Sequence, residues 1–228
     1  MGVYEPTKSS ANGRRYDPER LFLPPDDDLA PNRPGETLRS RLDGSRTGRA
    51  GLLLARLLGR RPVEDDWRRS LAAEQLVGAR LDGLTAGGWE VVHSIALPGD
   101  AVISHLLIGP GGVFCITDEQ TRRARVRVDD AMVRVPRERP RPCVRRARQC
   151  AVRSAHVLSY GCRFTVQVEP VLVLAGATGV DGAEASEDVR VLREPEVEGL
   201  GALGGVLHPE RVDRIHTVAR NRRVWTAA

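Results

Sequence analysis

The chain has 228 residues and 25.0 kDa, 41% hydrophobic but only 4% aromatic, enough for one sizeable domain with an appendage and too little for two full ones. Its four cysteines, Cys115, Cys143, Cys150 and Cys162, form no CxxC pair, which argues against a disulfide framework or a zinc site, and no apolar run approaches the ~20 residues that cross a bilayer. The formal net charge is +5, and every basic residue except Lys8 is an arginine; with no secretory signal pattern at the N-terminus, these features predict a cytoplasmic protein.

Residues 1–62 hold nearly half of the 15 prolines and clusters such as Asp26, Asp27 and Asp28, the composition of a disordered tail. Within them residues 49–61, RAGLLLARLLGRR, place Leu52, Leu53, Leu54, Leu57 and Leu58 on one stripe between Arg49, Arg56, Arg60 and Arg61. That pattern predicts a short amphipathic helix, packed on its own domain or resting weakly on an anionic membrane surface or a partner. Residues 63–228 are then the folded domain.

Trp67, Leu71, Leu76, Val77, Ala79, Leu81 and Leu84 recur at helical spacing over residues 64–84, ending before Gly87 and Gly88. Residues 89–97 read as a strand. Residues 106–108 and 113–116 are apolar runs around Gly109, Pro110, Gly111 and Gly112, which predicts an antiparallel hairpin. With that turn Ile108 faces Val113, Leu106 faces Cys115 and Ser104 faces Thr117, so Ser104, Thr117 and Glu119 share one face. His105, Leu107, Phe114, Ile116 and Asp118 share the other, with Phe114 and Ile116 as core. A second hairpin over residues 123–128 and 131–135 is expected to continue the meander. Residues 145–160 form a helix, 166–175 and 189–192 strands, and 209–220 a helix with Pro209 at its start. The order predicts an α/β domain whose mixed central sheet contains an antiparallel meander flanked by helices.

Several blocks of this order carry a pattern. Ile103, His105, Gly109, Pro110, Gly112, Val113 and Phe114 fit a strand reading D-I-D-H, apolar residues, then G-P-x-G-V-F; Glu74, Val77, Gly78 and Leu81 fit G-E-x-x-V-G-x-x-L on the preceding helix. Trp89, Val92 and His93, then Pro142, Val144 and Arg145, then Cys162, Phe164 and Val166, and finally residues 170–174 fit later blocks. In these blocks, over residues 67–225, the chain resembles a divergent member of the nuclease-related domain family, NERD, of the PD-(D/E)XK nuclease-like superfamily. The resemblance implies a restriction-endonuclease-like fold and a Mg²⁺- or Mn²⁺-dependent nuclease site. Carried over position by position, that site falls on Glu74, Ser104, Thr117 and Glu119, where the family has a glutamate, two acids and a lysine. Only Glu74 matches.

Those departures bear on chemistry. Mg²⁺ prefers carboxylate oxygens, and Ser104 and Thr117 offer neutral hydroxyls; Glu119 sets a negative charge where a lysine would stabilise charge developing on phosphate. The expectation is a catalytically degenerate domain that needs no cofactor. The alternative is a divergent Mg²⁺- or Mn²⁺-dependent endonuclease with relocated ligands, pairing Glu74 and Glu119 with Asp100 or Asp118. A third reading is a membrane-surface or protein-interaction adaptor acting through residues 49–61. Cys115 reads as a buried hydrophobe. His93 and His105 have no acidic partner evident in the sequence and read as structural residues, and Gln149 reads as surface.

Charge distribution suggests a partner. Between Arg122 and Arg153 there are 12 arginines against Asp129, Asp130 and Glu138, a local charge of +9, so the remainder of the chain sums to −4. Arg123, Arg125 and Arg127 lie along the third strand with Arg122 just before it, and Arg145, Arg146 and Arg148 begin the following helix. Such an edge suits nucleic-acid phosphates, although the missing aromatic interleaving argues against a dedicated single-strand stacking platform.

Overall fold

The computed structural model describes residues 23–45, 63–99 and 101–226. Its centre is a five-stranded sheet in the order β1-β2-β3-β6-β8, built from β1 (Glu90–Ala96), β2 (Val102–Gly109), β3 (Gly112–Gln120), β6 (Glu169–Ala175) and β8 (Arg190–Arg193). β1, β2 and β3 are antiparallel neighbours, whereas β3, β6 and β8 run parallel. The predicted hairpin register is observed, with Leu106 opposite Cys115, Ile108 opposite Val113 and Gly109 opposite Gly112. Gly109 is required by close approach, since a Cβ there would lie 2.3 Å from the Trp89 ring.

Alternation along these strands sends side chains into two cores. Leu107, Phe114, Ile116, Val171 and Val173 meet Val77 and Leu81 of α2 (Val63–Asp82) on one face. On the other, Leu106, Ile108, Val113 and Cys115 meet Ala151 and Leu158 of α3 (Cys143–Cys162), Ile215 and Val218 of α4 (Pro209–Ala219) and Trp225 of α5 (Arg222–Thr226). After Glu169, strand β6 is apolar from Pro170 to Ala175 because both its faces are covered. The result is a mixed α/β domain with a five-stranded mixed sheet flanked by helices, consistent with a restriction-endonuclease-like architecture.

The second hairpin corrects the expectation of one continuous meander. β4 (Arg125–Val128) and β5 (Val133–Arg134) pair with β7 (Gly179–Asp181) in a separate three-stranded sheet. The free edge of β3 is taken by β6, in register from Phe114 with Glu169 to Gln120 with Ala175. Arg122 and Arg123, both at left-handed φ (53° and 54°), turn the chain away before β4 begins. Val126, Val128, Val133 and Val135 then pack against Cys143, Val144 and Ala147 at the start of α3.

Part of the proline-rich stretch read as tail is structured. Residues 23–45 include α1 (Glu36–Gly44) and lie against the domain: Leu29 is buried with Ile95 and Trp225, Asp28 pairs with Arg220, and the Asn32 amide donates to the His93 and Ser94 carbonyls. A low density of apolar residues hides this, because two buried leucines, Leu29 and Leu38, and a few long-range polar ties anchor the segment. The helix predicted over residues 49–61 lies outside the described residues. Among the described residues no helix is long and apolar enough to cross a membrane.

Candidate functional site

Helix α2 carries Glu74 onto the sheet, where it is 7% exposed. The Ser94 hydroxyl donates to its Oε2 at 3.4 Å and the Ser104 hydroxyl to its Oε1 at 3.5 Å. Ser94 reaches it from a left-handed backbone (φ 50°) in mid-strand, a conformation uncommon for any residue but glycine. Burial and then the nearby Asp118 carboxylate push the Glu74 carboxyl up to about 7. The helix needs glycine at position 78 to come this close, since a Cβ there would lie 2.3 Å from the Pro34 ring and 3.3 Å from His105 Cε1.

The predicted common face of Ser104, Thr117 and Glu119 is not kept, because Ser104 turns toward Glu74 on α2 while Glu119 meets Cys143 and Arg146 of α3. Ser104 contacts Glu74, as just described. Thr117 is buried, and its Oγ1 has no hydrogen-bond partner among the described residues. Glu119, 7% exposed, is enclosed by cations: Arg141 pairs with its Oε1, and Arg146 pairs with its Oε2 at 3.0 Å. The Cys143 thiol donates to the same Oε2 at 2.8 Å, and burial, then the Glu119 charge, pushes that thiol up to about 12. Arg141 also holds Glu138 at 2.7 Å, and Glu138 holds Arg122 at 3.1 Å. Glu74 and Glu119 share no partner among the described residues, and Asp100 lies outside them.

A chain of titratable groups running from buried Asp118, His105 and His93 out to exposed Asp82 escaped sequence reasoning. Asp118 Oδ2 lies 2.8 Å from His105 Nε2, His105 Nδ1 lies 2.7 Å from His93 Nδ1, and His93 Nε2 lies 2.9 Å from Asp82 Oδ1. His105 therefore has both a carboxylate and an imidazole partner, contrary to the expectation of none. Burial opposes charge on His105, but the Asp118 charge and hydrogen bond, with Glu74 and Asp82 beyond, outweigh it and raise its pKa; burial and then His105 lower that of His93. With a carboxylate accepting from each outer Nε2, the Nδ1–Nδ1 contact requires one further proton shared by the two rings, and the opposite shifts favour His105 as its holder. The signal was present in the hairpin register, which set His105 and Asp118 on one face. What the alternation could not give was Asp82, brought in by the end of α2.

A hard divalent cation does not fit the four family positions. Glu74 is the one carboxylate among them without a cationic partner, Ser104 and Thr117 are neutral hydroxyls, and Glu119 is occupied by two guanidiniums that would repel the ion. Among the described residues no group of three or more histidine, cysteine, aspartate or glutamate side chains is arranged to hold a metal ion.

The predicted arginines divide into two sets. Arg122 pairs with Glu138, Arg125 with Asp181, Arg146 with Glu119, and Arg148 with both Asp130 and Asp188. Arg123, Arg127 and Arg145 are exposed and have no ion pair among the described residues, as do Arg137 and Arg139 in the loop between β5 and α3. Arg127 sits in register between Arg134 on β5 and Asp181 on β7, and Arg134 itself pairs with Asp129, so the chain's own carboxylates already offset part of this like-charge juxtaposition. Gln149 is exposed and Cys115 buried, as expected.

Residues 69–175, from the helix that carries Glu74 to the end of β6, match the model of the nuclease-related domain, NERD. Over this span the chain is similar to NERD domains. The PD-(D/E)XK nucleases are the general kind to which NERD belongs. The match ends before β7, β8, α4 and α5, although α4 and α5 complete the core on one face of the central sheet. Searches of curated proteins and of solved structures find no match to this chain.

Proposed function

We propose that this NERD-like domain is a nucleic-acid-binding module that has lost metal-dependent cleavage. The observation that carries the reading is the state of Glu119. The position where the family sets a lysine toward the phosphate holds an anion, and its charge is consumed by Arg141 and Arg146. The remaining positions supply a single carboxyl and two hydroxyls, too few anionic ligands to hold a metal-bound water, and no cation is aimed at the scissile phosphate.

Binding is supported by the exposed arginines that form no direct ion pair among the described residues. Arg123, Arg127, Arg137, Arg139 and Arg145 are exposed on the small sheet, the adjoining loop and the first turn of α3. Backbone contacts by arginine release counterions and make affinity fall steeply with salt. The test is a titration of a fluorescent oligonucleotide at several salt concentrations. Neutralising Arg123, Arg127 and Arg145 to alanine together lowers the slope of log K against log salt by about three; absence of binding by the unmodified protein at low salt removes the reading.

A further inference from the structure

The arginine edge does not stop at the first turn of α3. This helix carries Arg145, Arg146, Arg148 and Arg153 and not one aspartate or glutamate over its 20 residues. Its inner face is spent on the sheet. Its outer face presents Arg145, Gln149, Val152, His156, Tyr160 and, at the C-cap, Arg163, spaced three or four residues apart and all exposed. Val152 is 71% and Tyr160 84% exposed, which is unusual for side chains of their size on a helix otherwise so well packed. Arg145 and Arg163 at the two ends have no ion-pair partner among the described residues.

Geometry joins this stripe to the edge. The Arg145 amide donates to the Ala131 carbonyl in the turn between β4 and β5, so the stripe begins where the small sheet ends. From Arg145 to Arg163 the helix advances roughly 27 Å, the length of several nucleotides.

We infer that the outer face of α3 is a polynucleotide-binding track, with a strand lying along the helix between Arg145 and Arg163 and its bases or sugars seated on Tyr160 and Val152. A protein partner suits the surface less well. Two apolar side chains separated by His156 fall far short of the core of a stable interface, which buries roughly 800 Å² on each side, whereas an exposed aromatic face one turn from Arg163 is a local arrangement that takes a base beside a phosphate. The inference rests on the nucleic-acid reading of the arginine edge and extends it to contacts that are not electrostatic.

The test is fluorescence polarisation with labelled 12-nucleotide single-stranded and duplex DNA on the full chain. Replacing Val152 and Tyr160 with serine removes no charge. It weakens binding of at least one of the two oligonucleotides about tenfold, the scale of one lost stacking contact, with the salt slope unchanged. Arg145→Ala instead lowers the slope by about one. Tyr160→Phe keeps the ring and keeps the affinity, which separates stacking from misfolding, and Tyr160→Ala alone serves if the double variant unfolds. Unaltered affinity for both oligonucleotides in the serine and alanine variants, or competition by polyglutamate as strong as by DNA, overturns the track while leaving the edge intact. Failure of the unmodified chain to bind either oligonucleotide removes both.

Discussion

Glu74 is a carboxylic acid held near neutrality between two serine hydroxyls, and its proton has a thermodynamic consequence. Burial, then Asp118, raises its folded-state pKa from 4.5 to about 7, so the folded chain binds this proton more tightly than the unfolded one. The stabilisation is complete below pH 4.5 and is lost as pH rises through 7, about 3 kcal/mol in all. In denaturant unfolding at pH 4.5 and pH 8, the unmodified chain should lose that amount relative to Glu74→Gln; equal pH dependence in the two would show that Glu74 does not hold the proton. Asp118 offers a second test at this scale. Asp118→Asn leaves charged His105 buried without its carboxylate and should cost ~3 kcal/mol or more, with the imidazole titrating at lower pH by NMR. Glu119→Lys restores the family residue in name only. It would place a third cation against Arg141 and Arg146, so the expected outcome is a destabilised protein with no gain of cleavage, read by melting and by a plasmid assay.

At the level of elements, α2 and the β2-β3 hairpin were legible because their apolar periods are clean and their turn chemistry is explicit. The closeness of α2 to the sheet is also written in one residue. Gly78→Val drives a branched side chain into Pro34 and toward His105, and the expected cost is ~3 kcal/mol, with faster amide exchange in residues 23–45, which pack beside it. Unchanged stability and exchange would mean that the contact is dispensable. The departure of β4 was not legible. Arg123, Arg125 and Arg127 alternate with small apolar residues as any edge strand would, and nothing local says that β6, some 50 residues later, takes the edge of β3 first. The fate of residues 23–45 was hidden for a similar reason, since Asp28 meets Arg220 across 192 positions.

Across the whole molecule, charge is sorted rather than merely abundant. Arg122, Arg125, Arg141, Arg146 and Arg148 are committed to Glu138, Asp181, Glu119, Asp130 and Asp188, which fasten the small sheet, its loop and α3 together. The composition could show the +9 segment but not which of its arginines were already spent, because that depends on carboxylates from Glu119 to Asp188 folding over it. The empty positions of the family site were legible through the resemblance to NERD. The enclosure of Glu119 was not, and it turns three missing residues into a site with a different electrostatic character. The most direct measurement of the central claim is a single incubation of the full chain with labelled duplex and single-stranded DNA at low salt, with Mg²⁺ and with Mn²⁺, resolved first as complexes and then after removal of protein. The account predicts retarded complexes that release full-length DNA under both metals. DNA left unbound, or shortened by the unmodified chain and not by Glu74→Ala, would contradict it.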